Sequence, residues 1–463
     1  MTDNPRKIAL NILNELDKKY KTLDSILENI SEKNSLISKR DRSLLFALVF
    51  GVLRWRGRLD YIIGYFSRTP LDKINPGLLN IFRLGLFQII YMDRIPVSAA
   101  VNTSVEMAKQ YSDPWIVGFA NGLLRNAARK YETVCFPNVN KYPADSLAAE
   151  KSFPKWLIKR WLNRFGLKET GMICDAVNMI PKITLRTNTL ATGRKQLAKS
   201  LEPFAEDIEL TDYSSDGILF SHPKTPIPEM KPFKKGWFQV QDEAAQLISC
   251  LLNPQPGQTV LDACAGLGGK TGHIAHIMKN QGRIAAMDKD ERKLLQLKSE
   301  MDRIGVSIVT LWQHNLNKSL KNNLQSSILN LKSFDRVLVD APCSGIGVIR
   351  RNPDTKWFKT EEDLPWYKER QIKFMDNAAS LVKSGGLLVY AVCSTEPEEN
   401  EEVAEAFLDN HPEFILEKDF PGLPEKALSI VNKDGYLKTF PHINNMDGFF
   451  AACFKRTDNH LSV

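Results

Sequence analysis

The chain lacks any hydrophobic run that approaches the roughly 20 residues needed for a membrane-spanning helix. Its first residues are polar, and three polar residues interrupt the apolar stretch 10–16, so the continuous hydrophobic segment of a secretory signal is missing. We therefore predict a cytoplasmic protein. With 463 residues, the chain is long enough for two or three domains that each bury a core.

Cysteine and histidine are also sparse, with seven residues of each. No two cysteines have the C-x-x-C spacing, and an odd number of scattered cysteines argues against a disulfide framework and for a reducing compartment. His273 and His276 share a helix face, but the sequence around them offers no thiol or carboxylate partner. We therefore predict no metal site.

The formal net charge is +8, and basic residues cluster with aromatic residues, glycine or proline in three places. These clusters are Arg54–Arg58, Lys231–Lys235 and Arg350–Arg351. Basic side chains can contact phosphates while aromatic rings stack on bases, so the combination is typical of nucleic-acid binding. Each cluster alone is more typical of an ordinary solvated surface, but three of them on one chain make nucleic-acid binding an equal alternative.

The first 130 residues have apolar positions at helical spacing, which predicts an all-helical domain. A stretch at about 130–155 contains prolines, lacks this periodicity and marks a boundary. The next segment predicts a small α+β module, because a strand pattern at 183–188 lies between helical patterns at 156–165 and 194–201. Four prolines between 223 and 232 then predict an extended connector.

From about residue 237 the pattern changes to continuous apolar strands that alternate with helices. Strands are predicted at 259–263 and 283–288, for example, and a helix at 291–304 follows. Such alternation predicts an α/β fold in which helices cover both faces of a mostly parallel sheet. The predicted domains are 1–135, 150–235 and 236–457.

A glycine-rich turn at 262–271 follows the first of these strands and begins a helix, where glycine lets a ligand approach the backbone. Cys264 replaces the first glycine of a phosphate-binding P-loop, and Thr271 replaces the third glycine of a dinucleotide motif. S-adenosylmethionine fits better, because Asp288 ends the next strand and a carboxylate accepts hydrogen bonds from ribose hydroxyls.

Two further strands end in Cys-Ser, at Cys343 and Cys393, and Asp340 precedes the first cysteine by three residues. A thiolate that adds to C6 of a pyrimidine makes C5 nucleophilic, so that C5 can attack a sulfonium methyl group. Asp340 is a candidate to hydrogen-bond N3 as charge develops there. The alternative is two buried thiols that pack as small apolar groups.

At these residues the chain resembles the RNA 5-methylcytosine methyltransferases, specifically the bacterial 16S ribosomal RNA cytosine-C5 methyltransferase B family. The resemblance covers essentially the whole chain and includes a NusB-like N-terminus at Leu53–Arg56 and Asn121–Arg125. It implies a C-terminal Rossmann-like S-adenosylmethionine methyltransferase domain, an all-α NusB-like N-terminal domain and a small α+β linker module. The matching segments of the second half are Trp237–Gln246, Cys264–Lys270, Asp340–Gly345, Arg350–Trp357, Cys393–Ser394 and Gly448–Phe450.

The resemblance also implies individual roles. Cys393 would attack C6, and Cys343 would assist release of the product. Asp340 would hydrogen-bond the base and border the cofactor, and Lys270 would lie near the catalytic centre. The implied cofactor-binding residues are Cys264, Ala265, Gly266, Leu267, Gly268, Gly269, Lys270, Asp288, Asn315 and Asp340.

Two positions depart from the family's usual pattern. Val392 stands before the predicted nucleophile where the family usually has threonine, which removes a hydroxyl but leaves the thiol. Asn315 is the best match to an aspartate that usually follows the third strand near the adenine. An asparagine can accept a hydrogen bond from the adenine amino group, although it carries no charge.

We therefore predict S-adenosylmethionine-dependent methylation of C5 of a specific cytidine in 16S small-subunit ribosomal RNA through a covalent adduct of Cys393 with C6. The expected partner is small-subunit ribosomal RNA or a partly assembled small-subunit particle. We predict that the protein is a monomer and that it has no membrane partner. Three rivals are the same chemistry on transfer RNA, a non-catalytic RNA-binding factor, and DNA cytosine methylation with Cys343 as nucleophile.

Overall fold

The computed structural model describes residues 4–18, 22–33, 38–111, 113–318 and 333–457. The chain divides into two compact units: Met1–Met179 with Ile349–Glu361, and Ile180–Val348 with Glu362–Val463. Among the described residues, no helix combines the length and the apolar character that crossing a bilayer requires.

The first unit is built from helices, as the sequence predicts for the N-terminal region. Asparagines begin two of the helices: the Asn4 and Asn75 side chains accept hydrogen bonds from backbone N–H groups of the first turn, and a proline follows each of them. Apolar faces of the helices between residues 5 and 130 share one core. The helices are α1 (Pro5–Asp17), α2 (Leu23–Lys33), α3 (Lys39–Phe66), α4 (Pro76–Tyr91), α5 (Val97–Ala108), α6 (Pro114–Lys130), α7 (Pro143–Glu150) and α8 (Lys155–Asn178).

The segment Ile349–Glu361 comes from the C-terminal half of the sequence but belongs to the first unit. It contains a short helix, α14 (Thr355–Phe358), whose number reflects its place in the chain. The Lys356 amino group is buried and donates hydrogen bonds to Arg54 O at 3.2 Å, Ser152 O at 3.1 Å and Asn178 Oδ1 at 2.6 Å. These bonds connect the segment to α3, to the turn before α8 and to the last residue of α8.

The second unit begins with a four-stranded antiparallel sheet of strand order β2-β3-β1-β4. Residues 223–232, predicted as an extended connector, instead contain a 3₁₀ turn at Ile227–Glu229 and begin a short helix. Proline suits the first turn of a helix, because its φ is already helical and the N–H groups of the first turn have no acceptor within the helix. The elements are β1 (Ile183–Thr187), α9 (Arg194–Leu201), β2 (Glu206–Leu210), β3 (Gly217–Ser221), α10 (Lys231–Lys234) and β4 (Phe238–Val240).

An eight-stranded sheet follows, with strand order β10-β12-β9-β8-β5-β6-β7 and β11 paired to β12. The five strands from β9 to β7 are parallel, and β10, β11 and β12 pair antiparallel, so the predicted mostly parallel sheet is confirmed. The strands are β5 (Thr259–Asp262), β6 (Arg283–Asp288), β7 (Val309–Gln313), β8 (Phe334–Asp340), β9 (Val382–Val392), β10 (Phe414–Leu416), β11 (Leu437–Thr439) and β12 (Phe449–Arg456).

Helices cover both faces of this sheet, each over its own apolar core. Leu247, Ile274 and Leu297 belong to one core, whereas Phe374 and Phe407 belong to the other. The parallel strands β6, β5, β8 and β9 end at one edge, where α/β folds bind their ligands. The helices are α11 (Glu243–Leu252), α12 (Gly269–Ile277), α13 (Glu291–Ile304), α15 (Asp363–Ala379), α16 (Glu401–Asn410) and α17 (Pro441–Asn444).

Candidate active site

The two cysteines that end strands β8 and β9 meet at this edge of the sheet. The strands are parallel neighbours in which Asp340 pairs with Ala391, so the turns that follow them start side by side. The sulfur atoms of Cys343 and Cys393 lie 3.2 Å apart. The structure therefore brings together two thiols that are 50 residues apart in the sequence.

A single buried carboxylate joins the two cysteine turns. The Glu399 carboxylate accepts hydrogen bonds from Ser344 N at 2.8 Å, Ser344 Oγ at 2.5 Å and Ser394 Oγ at 2.5 Å. The Gln371 amide donates a further bond at 3.0 Å. Burial raises the pKa of Glu399, and these hydrogen bonds oppose that effect. Glu399 thus fixes the residue after each cysteine.

Close backbone packing holds the first cysteine turn from the other side. Gly347 N donates to Cys393 O at 3.0 Å, and Gly448 N donates to Gly347 O at 2.8 Å. A Cβ atom on Gly347 would lie only 1.9 Å from Gly448 O, so position 347 requires glycine. The segment Gly448–Phe450 therefore supports the site through its backbone.

Lys270 and Asp340 form an ion pair next to the thiols. The Lys270 Nζ atom lies 2.5 Å from Asp340 Oδ2 and 5.4 Å from the centre of the Phe449 ring. Burial alone would lower the pKa of Lys270, but its pKa is raised because attraction to Asp340 outweighs desolvation, with a smaller contribution from Cys393. The sequence-predicted residues Lys270, Asp340, Cys343 and Cys393 thus form one cluster.

The environment of Cys343 keeps its thiol protonated. Its contact with Cys393 and its burial both raise the pKa of Cys343 well above the ordinary value for cysteine. Burial, together with nearby carboxylates, also raises the pKa of Cys264. Neither side chain therefore favours the thiolate form that a nucleophile needs.

The glycine turn has the conformation that a cofactor site requires. Gly268 has φ = 86° and precedes α12, and a Cβ atom there would lie 2.7 Å from the Leu297 side chain. Gly266 N donates to Asp288 Oδ2 at 3.1 Å, which links the turn to the end of β6. The buried Asp262 instead accepts a bond from Thr271 Oγ1 at 2.7 Å, and burial raises its pKa to about 6.

A cavity of about 310 Å³ lies between the turn and the cysteines. Asn315, two residues after the end of β7, lines this cavity, and its Oδ1 atom accepts a hydrogen bond from Asn317 N at 3.1 Å. Ala265, Leu267, Gly268, Gly269 and Lys270 belong to the turn and helix start but are not among the residues that line the cavity within the described ranges. The predicted site residues that line it are Cys264, Gly266, Asp288, Asn315, Asp340, Cys343 and Cys393.

The cavity offers the groups that an adenosyl cofactor needs, namely a carboxylate at Asp288, an amide at Asn315 and an open glycine turn. Carboxylate and amide oxygens accept hydrogen bonds from ribose hydroxyls and from an adenine amino group. Within the described ranges, no three histidine, cysteine or acidic side chains come close enough together to hold a metal ion.

Sequence analysis missed two residues that support the site, Glu399 and Arg186. The buried Arg186 guanidinium donates to Gly269 O at 2.6 Å and also contacts Gln239 and Gln241, so β1 and β4 hold the start of α12. Burial lowers the pKa of Arg186 to about 9. The sequence around them gives no sign of a role in the site, because arginine within a strand and glutamate before a helix are common in proteins of all kinds.

Three family models match the chain. The model described as 16S rRNA methyltransferase RsmB/F matches residues 249–455, the NusB family model matches 3–129, and the RsmF/B-like ferredoxin-like domain matches 153–227. The predicted fold class, with a NusB-like N-terminal domain and a C-terminal methyltransferase domain, is thereby confirmed. The exact boundaries 1–135, 150–235 and 236–457 stay a prediction.

Curated relatives match over nearly the full length. The chain is 36% identical over 458 residues to the probable ribosomal RNA small subunit methyltransferase B of Bacillus subtilis, covering 97% of this chain and 98% of the relative. It is 32% identical over 453 residues to the ribosomal RNA small subunit methyltransferase B of an Escherichia coli strain, covering 97% and 98%.

Solved structures have the same architecture. The crystal structure of PH0851 matches with a TM-score of 0.77 and 26% identity, covering 98% of this chain and all of that one. A methyltransferase homolog protein from Pyrococcus horikoshii matches with a TM-score of 0.55 and 27% identity over 67% of this chain and 97% of that one. Full-length similarity above 30% identity, together with the matched catalytic domain, shows that the chain belongs to the RsmB/F family of 16S rRNA methyltransferases.

Proposed function

We propose that the protein transfers a methyl group from S-adenosylmethionine to C5 of a specific cytidine in 16S ribosomal RNA. The names of the curated relatives support a small-subunit ribosomal RNA substrate. The NusB-like region and the basic central module would bind the RNA, free or in a partly assembled particle, in the cytoplasm. The bound cofactor would supply the sulfonium methyl group, held by the turn at 264–270 and by Asp288, Asn315 and Asp340.

The observation that carries the proposal is the thiol pair, 3.2 Å apart, beside the Lys270–Asp340 ion pair. The Cys393 thiolate adds to C6 of the cytosine, and electron density moves towards N3 and C5. N3 gains a proton as negative charge develops on the base, the Asp340 carboxylate accepts a hydrogen bond from that N3–H group, and Lys270 holds the carboxylate in place. C5 would then take the methyl group and leave the cofactor as its neutral thioether. The C5 proton would pass to solvent, and the electrons of the C5–H bond would restore the C5–C6 double bond as the bond between C6 and the Cys393 sulfur breaks.

The surroundings of the two thiols support Cys393 as the nucleophile. Cys343 retains its proton because its pKa is raised, and its thiol can donate a hydrogen bond to the Cys393 thiolate. Once Cys393 has bonded to C6, the Cys343 sulfur lies beside the new bond and is placed to assist elimination. The target base must leave its stack to reach this buried pair, which favours a nucleotide in a loop.

The test is methyl transfer from labelled S-adenosylmethionine to unmodified 16S ribosomal RNA, with the modified base mapped. Wild type should yield one 5-methylcytidine, and Cys393→Ala should yield none because the attack on C6 is lost. Cys343→Ala should accumulate a covalent protein–RNA adduct, visible as a slow species on a denaturing gel, because elimination is slowed.

Other outcomes separate the rivals. An active Cys393→Ala enzyme on DNA, with an inactive Cys343→Ala enzyme, would assign the nucleophile to Cys343. Methylation of isolated transfer RNA but not ribosomal RNA would change the substrate class. A protein that binds no S-adenosylmethionine in calorimetry would be a non-catalytic RNA-binding factor.

A further inference from the structure

An exposed tryptophan and an arginine stand beside the catalytic cavity on one face of α15. Trp366, Arg370 and Phe374 are four residues apart, so they lie on neighbouring turns of the helix. The Arg370 guanidinium carbon lies 5.3 Å from the centre of the Trp366 ring and 5.1 Å from that of Phe374. Arg370 and Phe374 line the cavity that also contains Cys343 and Cys393.

Among the described residues, Trp366 leaves much of its ring uncovered and Arg370 leaves one buried N–H group unpaired. Trp366 is 54% exposed, although a tryptophan usually contributes more to stability when its ring is buried. The Arg370 Nε atom is buried, yet it has no hydrogen-bond partner among the described residues. A buried N–H group without a partner costs free energy, which a ligand that accepts the hydrogen bond would recover.

The charges of the cavity favour an anion other than the cofactor as this ligand. Three basic side chains line the cavity, Lys289, Lys293 and Arg370, against two carboxylates, Asp288 and Asp340. S-adenosylmethionine carries a sulfonium, an ammonium and one carboxylate, so it adds positive charge to a cavity lining that is already positive. A phosphate of the RNA strand would balance this charge.

We propose that Trp366 and Arg370 form a platform for the nucleotide next to the target cytidine. The Trp366 ring stacks on the neighbouring base, which loses a stacking partner when the target base turns into the cavity. The Arg370 guanidinium binds the phosphate between the two nucleotides, and the Trp366 and Phe374 rings hold it in place. This inference rests on the proposed RNA substrate and extends it to particular contacts outside the thiol pair.

The test measures RNA binding and methyl transfer separately, using the full-length protein. Binding is followed by fluorescence anisotropy of a labelled single-stranded oligocytidine, and KM and kcat are measured for 16S ribosomal RNA at saturating S-adenosylmethionine. Trp366→Leu should weaken binding by about 5- to 100-fold, whereas Trp366→Phe, which keeps an aromatic face, should recover most of the affinity.

Arg370→Gln should raise the KM for RNA and reduce the slope of log affinity against log salt by about 0.7, the value for one phosphate contact on a single strand. Affinity for S-adenosylmethionine, measured by calorimetry, should stay within twofold. The matched control is Lys298→Met, which removes an exposed cation of α13 that does not line the cavity and should leave both RNA measurements unchanged.

Unchanged RNA affinity and salt slope in both Trp366→Leu and Arg370→Gln would overturn the platform. So would a loss of S-adenosylmethionine binding in Arg370→Gln with normal RNA binding, because Arg370 would then belong to the cofactor site. Failure of the proposed function can be distinguished from failure of the platform. If the wild-type protein binds RNA without methylating it, the anisotropy measurements still compare the RNA affinities of the wild type and the variants.

Discussion

Two lysines of this protein are largely buried, one beside a carboxylate and the other among neutral oxygen atoms. Lys270, in the second unit, keeps 11% of its side chain exposed and pairs with the carboxylate of Asp340. Lys356, in the first unit, is 1% exposed, and neutral oxygens of Arg54, Ser152 and Asn178 accept its hydrogen bonds. The same residue type thus supplies a charge to the candidate active site in one unit and joins backbone segments in the other.

The pKa values of the two amino groups move in opposite directions. Attraction to Asp340 overcomes desolvation at Lys270 and raises its pKa. Burial lowers the pKa of Lys356 well below its ordinary value and the charge of Arg54 lowers it further, although the Phe153 ring lies 3.6 Å from its Nζ atom. Burial alone therefore does not decide the direction in which the pKa of a lysine moves, because the charge of its partner can reverse it.

The largest expected difference between the two lysines is in catalysis. Lys270→Met should lower the single-turnover rate of methyl transfer by about 100-fold or more, because Asp340 loses the cation that orients it. The protein should still fold, since Asp340 keeps access to water. Lys356→Met is the matched comparison and should keep the rate of the folded enzyme within about threefold. Equal losses in both variants would break the comparison.

A smaller effect is expected on local stability. Lys356→Met should lower the free energy of local opening around residues 50–60 by about 1–3 kcal/mol, because three buried oxygens lose their donor. Hydrogen exchange followed by mass spectrometry measures this opening, and peptides of α15 in the same sample serve as the control. Unchanged protection of residues 50–60 would show that Lys356 does not hold α3 and the segment 349–361 together.

The smallest effect is a dependence on pH. The folded-state pKa of Lys356 lies below the ordinary 10.5, so the unfolded chain binds more protons between these two values. The stability of the first unit should therefore rise with pH across that window, by less than about 1.4 kcal/mol per pH unit. Lys356→Met should remove this slope, as judged from exchange corrected for its base-catalysed rate.

Lys270 should behave in the opposite way. Its folded-state pKa is raised, so its contribution to stability is complete below the ordinary value of 10.5 and is lost only as pH rises through the folded-state pKa. Lys270→Met should therefore leave the pH dependence of stability between neutral pH and 10 unchanged. A new slope in that range would contradict the assignment of a raised pKa.

Local signals allowed much of the fold to be predicted. The helix predicted at 291–304 has the observed bounds, because Asp290 caps its start and Gly305, with φ = 74°, ends it. The strand at 283–288 is also observed as predicted, since it is a continuous apolar run. In contrast, β2 and β4 were not predicted, because a mostly exposed strand and a three-residue strand give no clear pattern.

The residues of the candidate site also divide into those that local sequence signals predict and those that they do not. The cysteines, Asp340 and Asp288 could be predicted because each follows a recognisable strand or motif. Glu399 and Arg186 could not, because their partners lie far away in the sequence: Ser344 is 55 residues from Glu399, and Gly269 is 83 residues from Arg186. The resemblance to known methyltransferases included Lys356 among its matching residues but gave no sign that three oxygen atoms surround its amino group.

The segment 349–361 also determines how the protein can be dissected. The chain leaves the large sheet after the first cysteine turn, contributes to the first unit, and returns before the strand that ends at the second cysteine. A fragment that stops near residue 179 would lack the lysine that fills the pocket between Arg54, Ser152 and Asn178. Separate expression of the two units should therefore require the shorter fragment to be complemented by a peptide of residues 349–361. A single cut near residue 179 would leave the first unit without this segment and the second unit carrying it.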